Sequence, residues 1–201
     1  MSNELTVSQA AHARKSIRRY TDEPISDETI REIVQTAGLA PSPWNIQPWR
    51  VIAVKDPEAK QKLMGAAYGQ PQVGAAAVAF VIYTDMVESI DHVENTIHPG
   101  MKEREAEVAQ QIRDHFASYS ESDFHWWGKG QGYTFMGFLL LAAQSHGYAT
   151  SAMLGFVPDQ VKELFGLPEH AQIPAIVAMG RPAEEGFPHH RHEFDHYAKI
   201  I

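Results

Sequence analysis

Segments with helical periodicity alternate along this chain with short apolar runs of strand length, and that alternation predicts an α/β or α+β sandwich. Two further observations narrow the choice. One long, almost wholly apolar helical stretch sits in the second half of the chain. No Gly-x-Gly-x-x-Gly follows any strand and no Gly-x-x-x-x-Gly-Lys-Ser/Thr occurs, which argues against a Rossmann dinucleotide domain or a P-loop. No repeat, low-complexity tract or Gly/Ser linker divides the 201 residues, so a single domain is expected.

From Ser26 the pattern is helical. Ile30, Ile33, Val34 and Ala37 fall at i, i+3, i+4 and i+7, Ser26-Asp27 supply N-cap candidates, and Gly38 and Pro41 stop the run. Arg50–Val54 then reads as a strand. Asp56-Pro57 opens a second helix, with the aspartate as cap, proline at the first helical position, and Leu63, Met64 and Ala67 on its apolar face. Ala77–Tyr83 is continuously apolar and suits a strand buried on both faces. Residues 86–125 are dominated by Asp, Glu, His and Gln with weak apolar spacing, and predict an exposed helix plus a loop closed by Phe124-His125-Trp126-Trp127. Gln131–His146 is apolar nearly all round and predicts a central core helix ending at Gly147. Pro158–Phe165 reads as a short helix stopped by Gly166, and Pro174–Met179 as the last strand. Beyond Pro182 the chain is polar and rich in His and Pro, yet it carries Phe187, Phe194, Tyr197, Ile200 and Ile201, which need burial somewhere.

Composition excludes several function classes. A net charge of −8 argues against a surface built for nucleic-acid phosphates. The absence of cysteine removes disulfides, thiolate catalysis and Cys-ligated metals, so any redox chemistry must belong to a bound cofactor. The opening Met-Ser-Asn-Glu-Leu-Thr-Val-Ser-Gln does not read as a signal peptide, and the longest apolar run, Phe135–Ala143, is far short of a membrane span. Neither a membrane nor a nucleic acid is expected as a partner, and the cytoplasm is the default compartment.

Two segments could carry chemistry. Residues 39–49, Leu-Ala-Pro-Ser-Pro-Trp-Asn-Ile-Gln-Pro-Trp, put three prolines and two tryptophans in one short loop. Each proline locks φ and removes an N–H donor, so the loop is expected to be rigid and to present Ser42, Asn45 and Gln47. Upstream, Arg14, Ser16 and Arg18 alternate along the chain. In extended or turn backbone they point the same way and offer two guanidinium forks and a hydroxyl, a set suited to a phosphate monoester and the polar edge of a heterocycle. Taken alone, R-x-S-x-R is more often the solvated basic end of a helix.

Together, these two motifs closely resemble the nitroreductase family, and three later segments extend the resemblance over nearly all of the chain outside 86–125. Tyr68-Gly69-Gln70-Pro71-Gln72 is similar to the family's turn before the buried strand, with Gly69 where Asn is expected. Ser151-Ala152-Met153-Leu154-Gly155-Phe156 resembles the loop over the flavin N5, with Leu154 where Glu often stands. Pro188-His189-His190-Arg191 resembles the basic pair of the C-terminal arm, with His189 where Lys is common.

The resemblance implies an α+β fold with a central, mostly antiparallel sheet flanked by helices. It implies one FMN-binding domain over 1–201, with residues 182–201 as an arm exchanged in a homodimer. Non-covalent FMN would lie at the dimer interface, with Arg14, Ser16 and Arg191 on its ribityl-phosphate side and Arg18 near the pyrimidine. Pro41, Ser42 and Asn45 would reach it from the other subunit, and Gln70, Met153, Leu154 and Gly155 would meet the ring system. No side chain is expected to be catalytic, because the flavin performs the chemistry. NAD(P)H would reduce it, leave, and be replaced by a small planar acceptor such as a nitroaromatic or quinone, a ping-pong cycle. Aromatic residues of 119–127 would line the acceptor pocket. A same-fold dehydrogenase or reductive dehalogenase, or a flavin-binding protein without turnover, are the alternatives.

One rival signal stands outside this scheme. His192-Glu193-Phe194-Asp195-His196 spells H-E-x-x-H, the zinc-protease spacing that puts two imidazoles on one helix face with Glu as base. The segment has no apolar period and only five residues follow it, so no metal site is expected there.

Overall fold

A computed structural model describes residues 5–201. Its frame is a four-stranded sheet in the order β1-β2-β4-β3: β1 (Trp49–Val54), β2 (Val78–Thr84), β3 (Ala149–Met153) and β4 (Gln172–Gly180). All three strand pairs are antiparallel. The two central strands, β2 and β4, are buried almost throughout, as their continuous apolar sequences require.

Alternation along β2 and β4 sends side chains to two cores. Phe80, Ile82, Val177 and Met179 pack on one face with Ile33, Phe135 and Leu139. Val81, Ile176 and Ala178 pack on the other with Leu63, Val73 and Val161. The first face is covered by α2 (Asp27–Ala37) and α7 (Glu121–Ser145), with α1 (Val7–Ala13) lying against α7. The second is covered by α3 (Pro57–Ala66), α4 (Pro71–Ala75) and α8 (Pro158–Phe165). Local signals start and stop these helices as expected: Ser26 accepts from Thr29 N, Asp56 accepts from Ala59 N, and Gly166 closes α8 in the left-handed region.

One element is added and three expectations are corrected. The Arg14 segment is preceded by α1, which a Thr6–Gln9 capping box opens. Residues 86–125 are not one helix and a loop. They form α5 (Met86–Asp91), two 3₁₀ turns and the amphipathic α6 (Glu105–Ala117), which build a third core from Ile46, Met86, Val93, Ala109, Ile112 and Phe116. The long helix begins at Glu121, ten residues earlier than its apolar run, because Ser120 caps it by accepting from Asp123 N. Gly128 and Gly132 interrupt the apolar pattern there for a steric reason. A Cβ on Gly128 would lie 2.3 Å from Met86 Cγ, and one on Gly132 would lie 2.4 Å from Pro174 Cγ. Finally, the expected loop at Ser151–Phe156 is a strand as far as Met153; its small and polar residues gave no strand pattern.

The last element, α9 (Phe194–Tyr197), is a single turn on an exposed tail. Among the described residues no helix is long and apolar enough to cross a membrane.

Candidate functional site

The free edge of β3 is where the candidate residues gather. Residues 14–20 run alongside it: Ser16 bridges Thr150 in parallel register, and Ile17 N donates to Thr150 O at 3.0 Å. Ile17 is buried, so the alternation of extended backbone turns Ser16 and its even-numbered neighbours the other way. Arg14, Ser16 and Arg18 thus line one open cleft of about 190 Å³, joined by Lys15 and, from the C-terminal segment, Phe187, Pro188, His189 and Arg191. Burial, and then the neighbouring Arg191, pushes the Arg14 guanidinium below its usual pKa. Among the described residues no carboxylate lines this cleft. Three guanidinium groups, an ammonium and a hydroxyl around one hollow form a donor set whose chemistry suits a phosphate dianion.

Residues 181–191 reach this place by docking on their own chain. Thr21 N donates to Arg181 O, Ala183 N to Arg19 O, and Arg18 N to the Glu184 carboxylate at 2.7 Å. Lys15 Nζ donates to Glu185 O, and His189 Nε2 donates to the His12 carbonyl. Gly186 adopts φ 66°, and a Cβ there would lie 2.7 Å from Ile17 Cδ1. The expectation that Arg191 comes to the phosphate side by docking of the arm on a partner is therefore corrected. Within one chain it already shares the cleft with Arg14, and only the tail beyond it stands free.

A second cleft, of about 620 Å³, shares Ser16, Arg18 and Phe187 with the first and extends to Pro71 and Gln72. Here an amide network ties three predicted residues together. Gln70 Nε2 donates to Gly155 O at 2.7 Å, and Gln72 Nε2 donates to Gln70 Oε1 at 3.0 Å and lies 3.2 Å from Met153 Sδ. Gln72, almost fully buried, is the member that sequence reasoning did not select, although it stands two residues from Gln70. Beside the network, Tyr68 is held at φ 54° with Gly69 at φ 70°, and Tyr68 and Leu154 are both exposed, at 70% and 67%. A bulky residue in the left-handed region is a conformation the surrounding structure must enforce.

The proline loop lies elsewhere. Pro41, Ser42 and Asn45 line neither of these clefts. The polar side chains expected to face a ligand are engaged within the chain: Ser42 Oγ accepts from Gln47 N, Gln47 Nε2 donates to Asn45 O, and Asn45 Nδ2 donates to Thr96 O at 3.0 Å. Trp44, Asn45 and Gln47 all have positive φ, at 51°, 57° and 47°. Such residues cost on the order of 1–3 kcal/mol each, so the loop stores strain that its supports must offset. Ile46, buried among Met86, Ile112 and Phe116, is one support, and the Trp44 ring, 4.7 Å from that of His115, is another.

A third cleft, of about 670 Å³, is lined by Arg113, Phe116, Tyr119, Phe124, His125 and His170 among others, and it shares no residue with the cationic clefts. The aromatic residues of 119–127 are thus split. Tyr119 and Phe124 enter this cleft, Trp127 packs on Phe116, and Trp126 faces outward beneath Lys129 Nζ. His170 Nε2 lies 3.0 Å from Asp85 Oδ1, and its ring stacks 5.8 Å from that of His125. Burial, then His170, pushes the His125 imidazole below the usual histidine pKa, against the opposing charges of Glu121 and Asp85. In the H-E-x-x-H segment, His196 on the exposed turn α9 stacks at 3.9 Å on His192, which precedes that turn; this is not the buried helix that the protease arrangement uses. No group of three or more potential metal ligands occurs among the described residues.

Comparison with known proteins agrees with this geometry. A model of the nitroreductase family matches residues 11–181. The chain is 44% identical over 188 residues to an NADH dehydrogenase of Thermus thermophilus, covering 93% of this chain and 92% of that protein. It is 30% identical over 195 residues to YdgI of Bacillus subtilis, a candidate NAD(P)H nitroreductase, covering 92% and 93% of the two chains. Among solved structures, a candidate nitroreductase of Exiguobacterium sibiricum in complex with FMN superposes with a TM-score of 0.90 at 26% identity and full coverage of both chains. The antiparallel sheet, its two helical layers and the motifs in their order identify this chain as a member of the nitroreductase family.

Proposed function

We propose that this protein is a homodimeric, FMN-dependent oxidoreductase that passes electrons from NAD(P)H to a small planar acceptor by a ping-pong cycle, in the cytoplasm. The observation that carries this reading is the cationic cleft of Arg14, Ser16, Arg18 and Arg191, continuous with the Gln70–Gln72–Gly155 amide network. A phosphate-binding end adjoining a hydrogen-bonding end is what a flavin mononucleotide requires. When bound, FMN supplies hydride acceptance and electron donation; the protein supplies binding, orientation and electrostatics.

The chain's own residues divide those tasks. Arg14 and Arg191 neutralise the phosphate, and Ser16 adds a hydroxyl donor. Arg18, free to reach along the second cleft, offsets negative charge on the pyrimidine edge. Gln70 is oriented by Gly155 O and Gln72, so its amide stands ready at the ring system. A backbone N–H of the Leu154–Gly155 segment would supply the donor to N5, a role that does not depend on the side chain at 154.

The second wall of the site comes from a partner. Ser42 and Asn45 line neither cationic cleft of their own chain, so their approach to FMN would be across a homodimer interface. The exposed Phe194, Tyr197, Ile200 and Ile201 of residues 182–201 supply apolar surface for that interface. Purified protein should be yellow, release one FMN per chain on denaturation, and oxidise NAD(P)H when a quinone or nitroarene is added. A colourless preparation that cannot be reconstituted with FMN overturns the reading. A yellow protein without turnover reduces it to flavin binding.

A further inference from the structure

Arg50, the second residue of β1, lies behind the strained proline loop and holds it at several points. Its Nη1 donates to Gln47 O at 3.0 Å and to Trp49 O at 2.9 Å, while Nη2 makes a hydrogen-bonded ion pair with Glu88 in the first turn of α5. Gln47 is one of the three non-glycine residues of the loop with positive φ, and its carbonyl is the group that Arg50 grips. A few residues on, Asp85 N donates to Pro48 O, so the exit of the loop is fixed to the same helix start that carries Glu88. Arg50 therefore joins a strained backbone to a rigid helix.

We infer that the Arg50–Glu88 pair is a positioning clamp that holds the 41–47 loop in its strained shape, so that the loop is preorganised as the partner-side wall of the cofactor site. The inference rests on the FMN reading above. A guanidinium is needed for geometric reasons. One planar fork spans two backbone carbonyls on one side and a carboxylate on the other, which the point charge of a lysine cannot do. The neighbouring supports act at other places: Ile46 is anchored in the third core and Asn45 on Thr96 O. Apart from Arg50, no side-chain hydrogen bond to the Gln47 carbonyl is found among the described residues.

The test uses the full-length chain, stripped of flavin and titrated with FMN by flavin fluorescence, for wild type, Arg50→Ala and Arg50→Lys. Amide exchange of residues 42–48 is measured alongside. Both substitutions are expected to weaken FMN binding by about tenfold or more, as a misplaced positioning element does. Exchange should accelerate in 42–48 while β2 and β4 stay protected. Guanidinium at low millimolar concentration should restore part of the FMN affinity of Arg50→Ala and leave wild type unchanged. FMN affinity equal to wild type in Arg50→Ala overturns the inference alone. So does a loss of affinity accompanied by faster exchange throughout β2 and β4 and no rescue, which marks general destabilisation. A wild-type chain that binds no FMN overturns the functional reading, and the clamp's purpose with it.

Discussion

Arg14 and Arg191 are cations drawn into one hollow, where burial, and then Arg191, disfavours the charged form of Arg14. An anion offsets this, so the cleft is stabilised by its ligand rather than in spite of it. Replacing either arginine by Ala deletes charge-assisted hydrogen bonds of about 1.5–3 kcal/mol, so FMN should bind roughly tenfold to a hundredfold more weakly to each variant. Equilibrium titration of the two proteins checks this, and unchanged affinity in both would displace the phosphate from this cleft. Leu154 belongs to a different task. Its side chain is exposed beside Tyr68 and leaves the Gln70–Gly155 bond untouched. Leu154→Glu should therefore leave the FMN content at one per chain and raise KM for an uncharged quinone several-fold, because a carboxylate must then be desolvated against an apolar acceptor. A KM that does not move places acceptor selection elsewhere.

At the scale of elements, the legible parts were those whose signals are local. Caps at Ser26 and Asp56, the stop at Gly166 and the apolar run of β2 each lie within one segment, and each formed the element it predicts. The parts that were not legible depend on contacts distant in sequence. β3 has no pattern of its own and is defined by its pairing with β4. Residues 86–117 cover a small third core; in α6 the buried Ala109, Ile112 and Phe116 do fall at i, i+3 and i+7, but this narrow stripe is diluted by the polar residues around it, and the rest of the core comes from the distant Ile46, Met86 and Val93. Gly128 and Gly132 look like breakers and are instead the points where α7 touches Met86, Thr84 and Pro174. Gly132→Ala should lower the thermal midpoint, since an added methyl cannot be accommodated 2.4 Å from Pro174 without shifting backbone. Overpacking of this kind costs about 1–3 kcal/mol, partly offset by the better helix propensity of alanine. A melting temperature equal to or above that of the parent would show that β4 gives way at Pro174. The same division holds for the site. The Arg14, Gln70 and Gly155 motifs were readable as short strings, whereas Gln72 acquires its place only through Met153 and Gln70.

For the whole molecule, the C-terminal segment divides in two at Arg191. Residues 182–191 are bound to residues 12–21 of the same chain through the contacts of Glu184, Glu185, Gly186 and His189. Residues 192–201 carry exposed Phe194, Tyr197, Ile200 and Ile201, and among the described residues they join none of the three cores. Another exposed apolar area is a groove of about 300 Å³ between α1, α2 and α7, lined by Leu39, Phe138 and Leu141 among others. Two such areas on one chain are what a self-complementary interface has to cover. Truncation can then separate the two halves of the segment. A chain ending at Arg191 keeps its phosphate cleft, and it should lose affinity between subunits, so that its dimer dissociates at concentrations where the parent stays whole. Its FMN affinity should fall only as far as the loss of the partner-side wall proposed above requires. A chain ending at Arg181 also loses Arg191 and the brace on residues 12–21, and should bind no FMN at any concentration that allows folding. Sedimentation equilibrium with and without FMN distinguishes these states. If the chain ending at Arg191 remains as tight a dimer as the parent, the tail has no part in assembly; if the chain ending at Arg181 still binds FMN tightly, the docking of 182–191 on its own chain is not what completes the site.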